Sequence, residues 1–478
     1  MSFDVCLKHT EAKLELISDY DMLLMFEQGV RGGICQASKR YSKANHSKAP
    51  VYNPEEPNRW ITYLDATNLY GWAMSQTIPT GNFKWYEGNL SVQSIQNRLD
   101  RIDDNSENGL ILEVDVEYPK SLHDQHSDLP FMCEKITPPG SKIKKLILTL
   151  NDKKKYIVHH SILKQALKEG LVLKKVHRVL QFDQSPWLAS YISLNTEMRK
   201  KATDDFQKDF FKLMNNAVFG KTMENVRNRM KMSLVCSPAA FQKLINKPTF
   251  KGVTQYNENL YAVHLHKAVL TFDKPIYVGF TVLEISKTLM YNFHYNVMKK
   301  YYGCDIELLY MDTDSLMYLI KTDDFYHDML TKPGFLEKLD TSNFPPSHPC
   351  YRTERKKVPG TFTDETGGEI ISEQVALKPK SYGYIQVGHE HIKAKGVAYH
   401  VIKNHMTFED HMDCLFQGIN GKDPAAFNPY RTMNSFRSYK YNIKTISTLK
   451  LALNRQDDKR VVLPDRIHTL PYGHYKLM

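Results

Sequence analysis

What this chain lacks already narrows its chemistry. Its seven cysteines (Cys6, Cys35, Cys133, Cys236, Cys304, Cys350 and Cys414) are scattered, and no two form a C-x-x-C pair. That excludes a zinc ribbon and a dithiol redox motif. An odd, dispersed set reads as reduced thiols and points to an intracellular protein, nucleus or cytoplasm being undecided. The nineteen histidines include no H-x-x-x-H pair with a credible third ligand, so no zinc site is expected. No segment reaches the run of about 18 apolar residues that a spanning helix needs. Residues 109–114 (GLILEV) are typical of the longest apolar stretches, and charge interrupts them. The mean hydropathy is -0.47, and the N-terminus, MSFDVCLKHTEAKLEL, shows no basic-then-apolar signal pattern. No membrane partner and no secretion are therefore expected. Internal repeats and low-complexity tracts are also missing.

The chain does have length and positive charge. Its 478 residues suit several domains at roughly 100–200 residues each. Lys and Arg total 64 against 53 Asp and Glu, a net charge of +11. A basic balance favours a polyanionic partner, most often nucleic acid. The apolar spacing predicts helices over 11–29, 188–202, 205–227 and 282–301. It predicts strands over 60–65, 110–117, 305–312 and 314–320. Polar, Pro- and Gly-punctuated stretches at 35–60, 101–108, 120–144, 341–362 and 418–437 read as loops or irregular connectors. Strands separated by long helices point to an α/β or α+β core with insertions.

Three segments carry the chemistry. In YMDTDSLMYLI (310–320) apolar residues alternate on both sides of Thr313, which describes a β-hairpin with Asp312 and Asp314 at its turn. Carboxylates there are costly beside buried strands unless a cation compensates them. Alone, D-x-D is also a solvated acidic turn. In RWITYLDATNLYGWAM (59–74) Asp65 ends a short buried strand just before a turn or helix. That position suits a metal ligand, or simply a helix cap. In DFFKLMNNAVFGKTMENVRNR (209–229) Lys212, Asn216 and Phe219 share a helical stripe next to Gly220. Such a stripe can cradle a nucleotide, and it can equally be a basic amphipathic face. Together, and in this order, they change the balance. Paired carboxylates that bind two Mg²⁺ ions, with a lysine for a triphosphate, are what in-line nucleotidyl transfer requires.

With these residues in view the sequence resembles the family B DNA polymerases, in particular the protein-primed viral, phage and organellar branch, and most of all those of Polinton/Maverick transposons. DATNLYG (65–71) resembles the first polymerase motif, D-x-x-S-L-Y-P, with Asn68 for Ser and Gly71 for Pro. KLMNNAVFG (212–220) resembles the second, K-x-x-x-N-S-x-Y-G, with Ala217 for Ser and Phe219 for Tyr. YMDTDS (310–315) resembles the third. LKPKSYGY (377–384) carries Lys380-Ser381-Tyr382, similar to the family's K-x-Y motif. VRGG (30–33) is similar to its Y-x-G-G motif, with Val30 for Tyr.

The resemblance implies an α+β right-hand polymerase with an antiparallel-sheet palm, helical fingers and a small thumb, making DNA from dNTPs on a template-primer. Asp65, Asp314 and the Ala66 carbonyl would bind two Mg²⁺ ions, with Mn²⁺ able to substitute, and Asp312 would support them. Tyr70 would be the steric gate against a 2′-hydroxyl. Lys212 would grip the triphosphate, joined by Lys200, while Asn216 and Phe219 would border the nascent base pair. Gly32, Gly33, Thr313, Lys380, Tyr382, Lys393 and Lys395 would contact DNA. Other basic clusters, among them Lys153–Lys155, Lys142, Lys144 and Lys145, could face phosphates.

The expected organisation is an N-terminal linker (1–58), palm (59–84), an insertion resembling the region that contacts a terminal protein primer (85–180), fingers (181–229), a second insertion (230–275), palm again (276–385), and thumb with C-terminal segment (386–478). Only 64 residues precede Asp65, and Asp4, Glu11, Glu15, Asp19 and Asp21 read as a solvated helix face, so no proofreading exonuclease is expected. The rival enzyme reading, a metal-dependent glycosyltransferase, explains D-x-D but not Lys212 or Lys380-Ser381-Tyr382. A decayed transposon remnant that binds DNA or a terminal protein without catalysis is the non-enzyme alternative.

Overall fold

The computed structural model describes residues 1–103, 105–418, 427–439 and 442–477. Two helices open the chain, α1 (Ser2–Thr10) and α2 (Tyr20–Gly29). The single helix predicted over 11–29 is not formed. Glu11 takes a left-handed conformation (φ 52°) that ends α1, and the Asp19 side chain accepts hydrogen bonds from the Asp21 and Met22 N–H groups to start α2. Both are local backbone events that apolar spacing does not register. Residues 35–60, expected as a loop, supply two short strands, β1 (Cys35–Ala37) and β2 (Tyr41–Lys43). Three residues are too few to show a period of two.

β3 (Arg59–Ala66) leads through Asn68 into α3 (Leu69–Met74). A separate four-stranded antiparallel sheet follows, built from β4 (Ile78–Trp85), β5 (Asn108–Glu117), β8 (Lys153–His159) and β9 (Val172–Ser185) in the order β4-β9-β5-β8. It carries α4 (Val92–Arg101), α5 (His160–Lys168) and a small hairpin, β6 (Glu134–Ile136) with β7 (Lys145–Ile147). Lys153 does not face phosphate. It is fully buried, and its ammonium lies 2.7 Å from Glu134 Oε2. Lys145 pairs with Asp458.

Next come α6 (Ala189–Lys201) and α7 (Asp205–Thr222). The helix predicted to reach 227 stops at Thr222. A second small sheet, order β10-β12-β11, holds β10 (Met230–Val235), β11 (Phe250–Asn257) and β12 (Leu260–His266), with α8 (Pro238–Ile245) between β10 and β11. α9 (Ile276–Asn292) is buried around nearly its whole circumference, as an apolar-all-round helix must be. It passes through a π-helical turn, Phe293–Met298, into α10 (Lys299–Tyr302).

The central sheet takes strands from far apart in the chain, in the order β1-β13-β14-β3-β17-β18-β19. Its later members are β13 (Ile306–Asp312), β14 (Ser315–Lys321), β16 (Phe362–Asp364), β17 (Ile371–Lys378), β18 (Ser381–Gln386) and β19 (His389–Ala394). Every pairing along that order is antiparallel. α11 (Phe325–Thr331) and β15 (Leu339–Asp340) lie between β14 and β16; β16 pairs with the end of β3, and β2 with β17. β3 and β14 are buried along almost their whole length because both sheet faces are covered. On one face Leu64, Leu316 and Tyr318 pack with Met290 and Phe293 and with Leu112 and Val158 of the four-stranded sheet. On the other, Tyr63, Tyr310, Met317 and Tyr382 form a smaller aromatic core.

The C-terminal part holds α12 (Tyr399–His405), α13 (Phe408–Phe416) and a hairpin of β20 (Tyr430–Tyr439) and β21 (Asn442–Leu451). Of the loop expected at 418–437, residues 419–426 lie outside the described residues, and 430–437 are strand. No helix among the described residues is long and apolar enough to cross a membrane.

Candidate active site

Asp65 and the Asp312-Thr313-Asp314 turn meet because β3 and β14 are neighbours. Ser315 stands opposite Asp65 in the register, and the Ala66 N–H donates to the Asp314 carbonyl at 2.7 Å. Thr313 has φ 64°, a left-handed conformation that costs about 1–2 kcal/mol for a residue with a Cβ. Two contacts offset this. The Thr313 N–H donates to the Ile34 carbonyl at 2.6 Å. Gly33 lies against the Thr313 side chain, so closely that a Cβ on Gly33 would collide with it. The RGG segment is thus the floor of the carboxylate turn.

The acidic residues differ in state. Burial, then the charges of Asp314 and Glu365, push the Asp65 carboxyl up to about 8, while Lys212 acts in the opposite direction. Asp314 is also raised, chiefly by burial and then by Asp312 against the pull of Lys380 and Lys212. Asp312 is committed elsewhere: Lys380 Nζ donates to both of its oxygens, at 2.6 and 2.5 Å. Burial works against the Lys380 ammonium, yet that pairing holds its pKa above the usual value. Among the described residues no three carboxylate, imidazole or thiol groups form a metal-binding cluster. The donors that fit a hard divalent cation are therefore the two neighbouring carboxylates Asp65 and Asp314, with main-chain oxygen beside them. Two partly buried acids, Asp65 raised by burial and the charge of Asp314, and Asp314 raised by burial and the charge of Asp312, are a donor set that a cation would relieve.

Most of the predicted residues share one cleft of about 970 Å³. It is lined by Asp65, Tyr70, Asp312, Thr313, Asp314, Lys380, Tyr382, Lys393 and Lys395. Ala66 is buried directly behind Asp65. Tyr70 stacks on Phe219 of α7, with ring centroids 4.8 Å apart and planes 20° from parallel. Phe219 therefore keeps the ring of the family's Tyr and loses only the hydroxyl. Lys212, two turns earlier on α7, faces the Asp65 and Asp314 charges; Asn216 is exposed between them. Lys200 is not brought to the cleft. It sits on α6, paired with Glu197 at 2.8 Å. Gly32 has open space where a Cβ would stand.

Both departures in the first motif have one cause. Asn68 adopts φ 47° at the start of α3, and its side chain folds over Gly71, leaving no space for a Cβ there.

The family model for DNA polymerase type B, organellar and viral, matches residues 28–298. The chain belongs to that family. Solved structures of Phi29 DNA polymerase have the same fold. Its orthorhombic crystal form matches with a TM-score of 0.55 at 14% identity, over 94% of this chain and 66% of that chain. Its ternary complex with primer-template DNA and incoming nucleotide matches with a TM-score of 0.55 at 13% identity over the same shares. This type B polymerase chain thus spans 66% of the length of those structures, and its architecture is the α+β right-hand polymerase fold. No curated protein matches the sequence.

Several residues of this type B polymerase site escaped sequence reasoning. Glu365 follows β16 and lines the cleft. Its N–H donates to the Tyr63 carbonyl at 2.9 Å, and burial, then Asp364 and Asp314, raise its carboxyl. Nothing local marks it, because β16 reaches β3 only through the fold. Tyr63 and Tyr310 were legible in principle. Each lies two positions before an aspartate on a strand, hence on the same face. The Tyr63 hydroxyl is 3.0 Å from that of Tyr382, and the Lys380 N–H donates to the Tyr310 hydroxyl at 2.8 Å.

Proposed function

We propose that this chain is a DNA-directed DNA polymerase, extending a primer 3′-hydroxyl with dNTPs on a template. The observation that carries the reading is the meeting of Asp65 and Asp314 across paired strands, with Lys212 and the Tyr70–Phe219 stack approaching from α7 and α3. Asp65, Asp314 and the Ala66 carbonyl would hold two Mg²⁺ ions, or Mn²⁺ in their place. Such ions supply Lewis-acid stabilisation of attacking and leaving oxygens. Lys212 neutralises the triphosphate; Lys200, paired with Glu197 on α6, takes no part. Tyr70 lies under the sugar and excludes a 2′-hydroxyl. Asn216 and Phe219 bound the nascent pair. Lys380, paired with Asp312, and Tyr382 on β18 would hold the primer-strand phosphates. Gly32, Gly33, Lys393 and Lys395 face the DNA backbone.

We further infer protein-primed replication of a viral or Polinton-like element. The sheet-rich unit within 85–180 would contact a terminal protein, and the β10-β12-β11 sheet within 230–275 would help enclose DNA. The palm would comprise 59–84 and 276–385, the fingers 181–229, and the thumb 386–478. These residues are expected to polymerise without editing: the expected single acidic helix face is not formed, Asp4 and Asp21 sit on separate helices, and Glu11, Glu15 and Asp19 lie in the segment between them, not around a shared sheet. Primer extension on a gapped template, with and without Mg²⁺, tests the reading; absence of Mg²⁺-dependent extension by folded protein overturns it. Incubation with a mismatched 3′ primer and Mg²⁺, without nucleotides, tests the editing claim: stepwise loss of the terminus refutes it.

A further inference from the structure

Arg31 is a cation buried between two parts of the molecule that the catalytic motifs do not connect. It is only 8% exposed. Its Nη1 donates to the Ile157 carbonyl at 2.7 Å and to the Gly29 carbonyl at 3.0 Å. Its guanidinium lies 3.8 Å from the centroid of the Tyr156 ring, in cation–π contact. Tyr156 and Ile157 belong to β8, the edge strand of the four-stranded sheet. Arg31 therefore closes a strand edge that would otherwise leave a carbonyl without a partner.

The main chain of the same residue is held from the opposite side. Lys287 of α9, 6% exposed, donates from Nζ to the Arg31 carbonyl at 3.0 Å, and also to the Leu283 carbonyl at 2.8 Å. Two positions on, Gly33 lies against Thr313 with no space for a Cβ. Ile34 accepts the Thr313 N–H, and Cys35 pairs with Asp312 in the register. A continuous rigid path thus runs from the β8 edge, through Arg31, to the turn that presents Asp314.

We propose that Arg31 is a positioning residue for the carboxylate turn. It fixes the level of Gly32-Gly33-Ile34 beneath Thr313, and so the approach of Asp314 to Asp65. It also makes that approach depend on the edge of the sheet formed by residues 78–185. A partner that shifts β8 would then adjust the metal site without touching it. The proposal rests on the polymerase reading for its consequences, though not for its geometry.

The test uses the whole chain and the variants Arg31→Met, Arg31→Lys and Lys287→Met. Mn²⁺ affinity of the metal-free protein is read from the loss of the free-ion EPR signal. The Mg²⁺ concentration for half-maximal primer extension is read separately, with DNA binding and thermal unfolding alongside. Residues that orient a metal site from outside its ligand shell typically change affinity or activity about 10-fold or more. Arg31→Met should weaken Mn²⁺ and raise the Mg²⁺ requirement by about that factor, and the Mn²⁺ loss should be present without DNA, so that any change in contact between Gly32-Gly33 and the DNA backbone is read separately. Arg31→Lys, which retains a donor and the charge, should recover part of the loss, and Lys287→Met should shift both readouts in the same direction. Unchanged Mn²⁺ affinity in a folded Arg31→Met protein overturns the proposal; if that variant does not fold, unchanged affinity in Lys287→Met does so. Parent protein that binds Mn²⁺ but extends no primer would sink the polymerase reading while leaving the Arg31 measurement decisive.

Discussion

Replacing Asp65 by Asn should make the metal-free protein more stable while abolishing synthesis. Burial, Asp314 and Glu365 lift the Asp65 carboxyl from 3.8 to about 8. An acid raised in the folded state binds its proton more tightly there than in the unfolded chain. Stability is therefore lost as pH climbs above the unfolded value near 4, and the loss continues until the folded group ionises near 8. Each tenfold change in the ionisation constant is about 1.4 kcal/mol, so the ceiling near pH 8 is roughly 5–6 kcal/mol. Part of this belongs to the Asp65–Asp314 pair jointly, and a buried amide carries a desolvation cost of its own of about 1–3 kcal/mol. The net gain expected for Asp65→Asn is about 2 kcal/mol at pH 8, shrinking toward zero at pH 4. Urea denaturation in EDTA across pH 5 to 8, followed by tryptophan fluorescence, measures it. Excess Mg²⁺ should reverse the order, since only the parent gains stability by binding the ion. An Asn variant no more stable than the parent at pH 8 in EDTA, or a gain that does not grow with pH, would refute the picture of two neighbouring carboxylates awaiting a cation.

Asp314→Asn should reduce nucleotide incorporation by several orders of magnitude while gel-shift affinity for primer-template largely survives; near-normal incorporation would remove the paired-carboxylate assignment. Tyr70→Val should raise ribonucleotide relative to deoxynucleotide incorporation in single-turnover assays, and an unchanged ratio would mean that the ring only packs against Phe219. Glu365→Gln removes one of the charges that raise Asp65, so the acid limb of the pH–rate profile should move to lower pH. An unmoved limb would show that Glu365 does not act on the site.

The parts of this site that could be read from sequence are those with a local period. The alternation around Thr313 identified the hairpin, and the four-residue spacing of Lys212 and Asn216 identified one face of α7. What could not be read depends on backbone conformation or on distant pairing. Glu11 and Asp19 break an apolar pattern that otherwise looks continuous. β1 is three residues long, yet it is the strand that pairs with Asp312. β20 and β21 are largely exposed, so no buried face imposes the alternation by which strands are recognised. Arg31 and Glu365 act across long stretches of chain, Arg31 by a hydrogen bond to Ile157, more than a hundred positions on, and Glu365 by its charge on Asp65, three hundred positions back.

The fit of Asn68 over Gly71 has a consequence for exchanging parts between relatives. With the Asn68 side chain occupying the space where a Cβ at position 71 would stand, a proline or any other side chain there cannot be introduced while Asn68 keeps its place. Nor can an asparagine in this conformation be grafted into a relative that carries proline at the matching position, because the ring would meet it. The two residues form one heritable unit. Ancestral reconstruction or a chimaera that moves them separately would have to displace the Asn68 side chain at the start of α3, the helix that carries Tyr70.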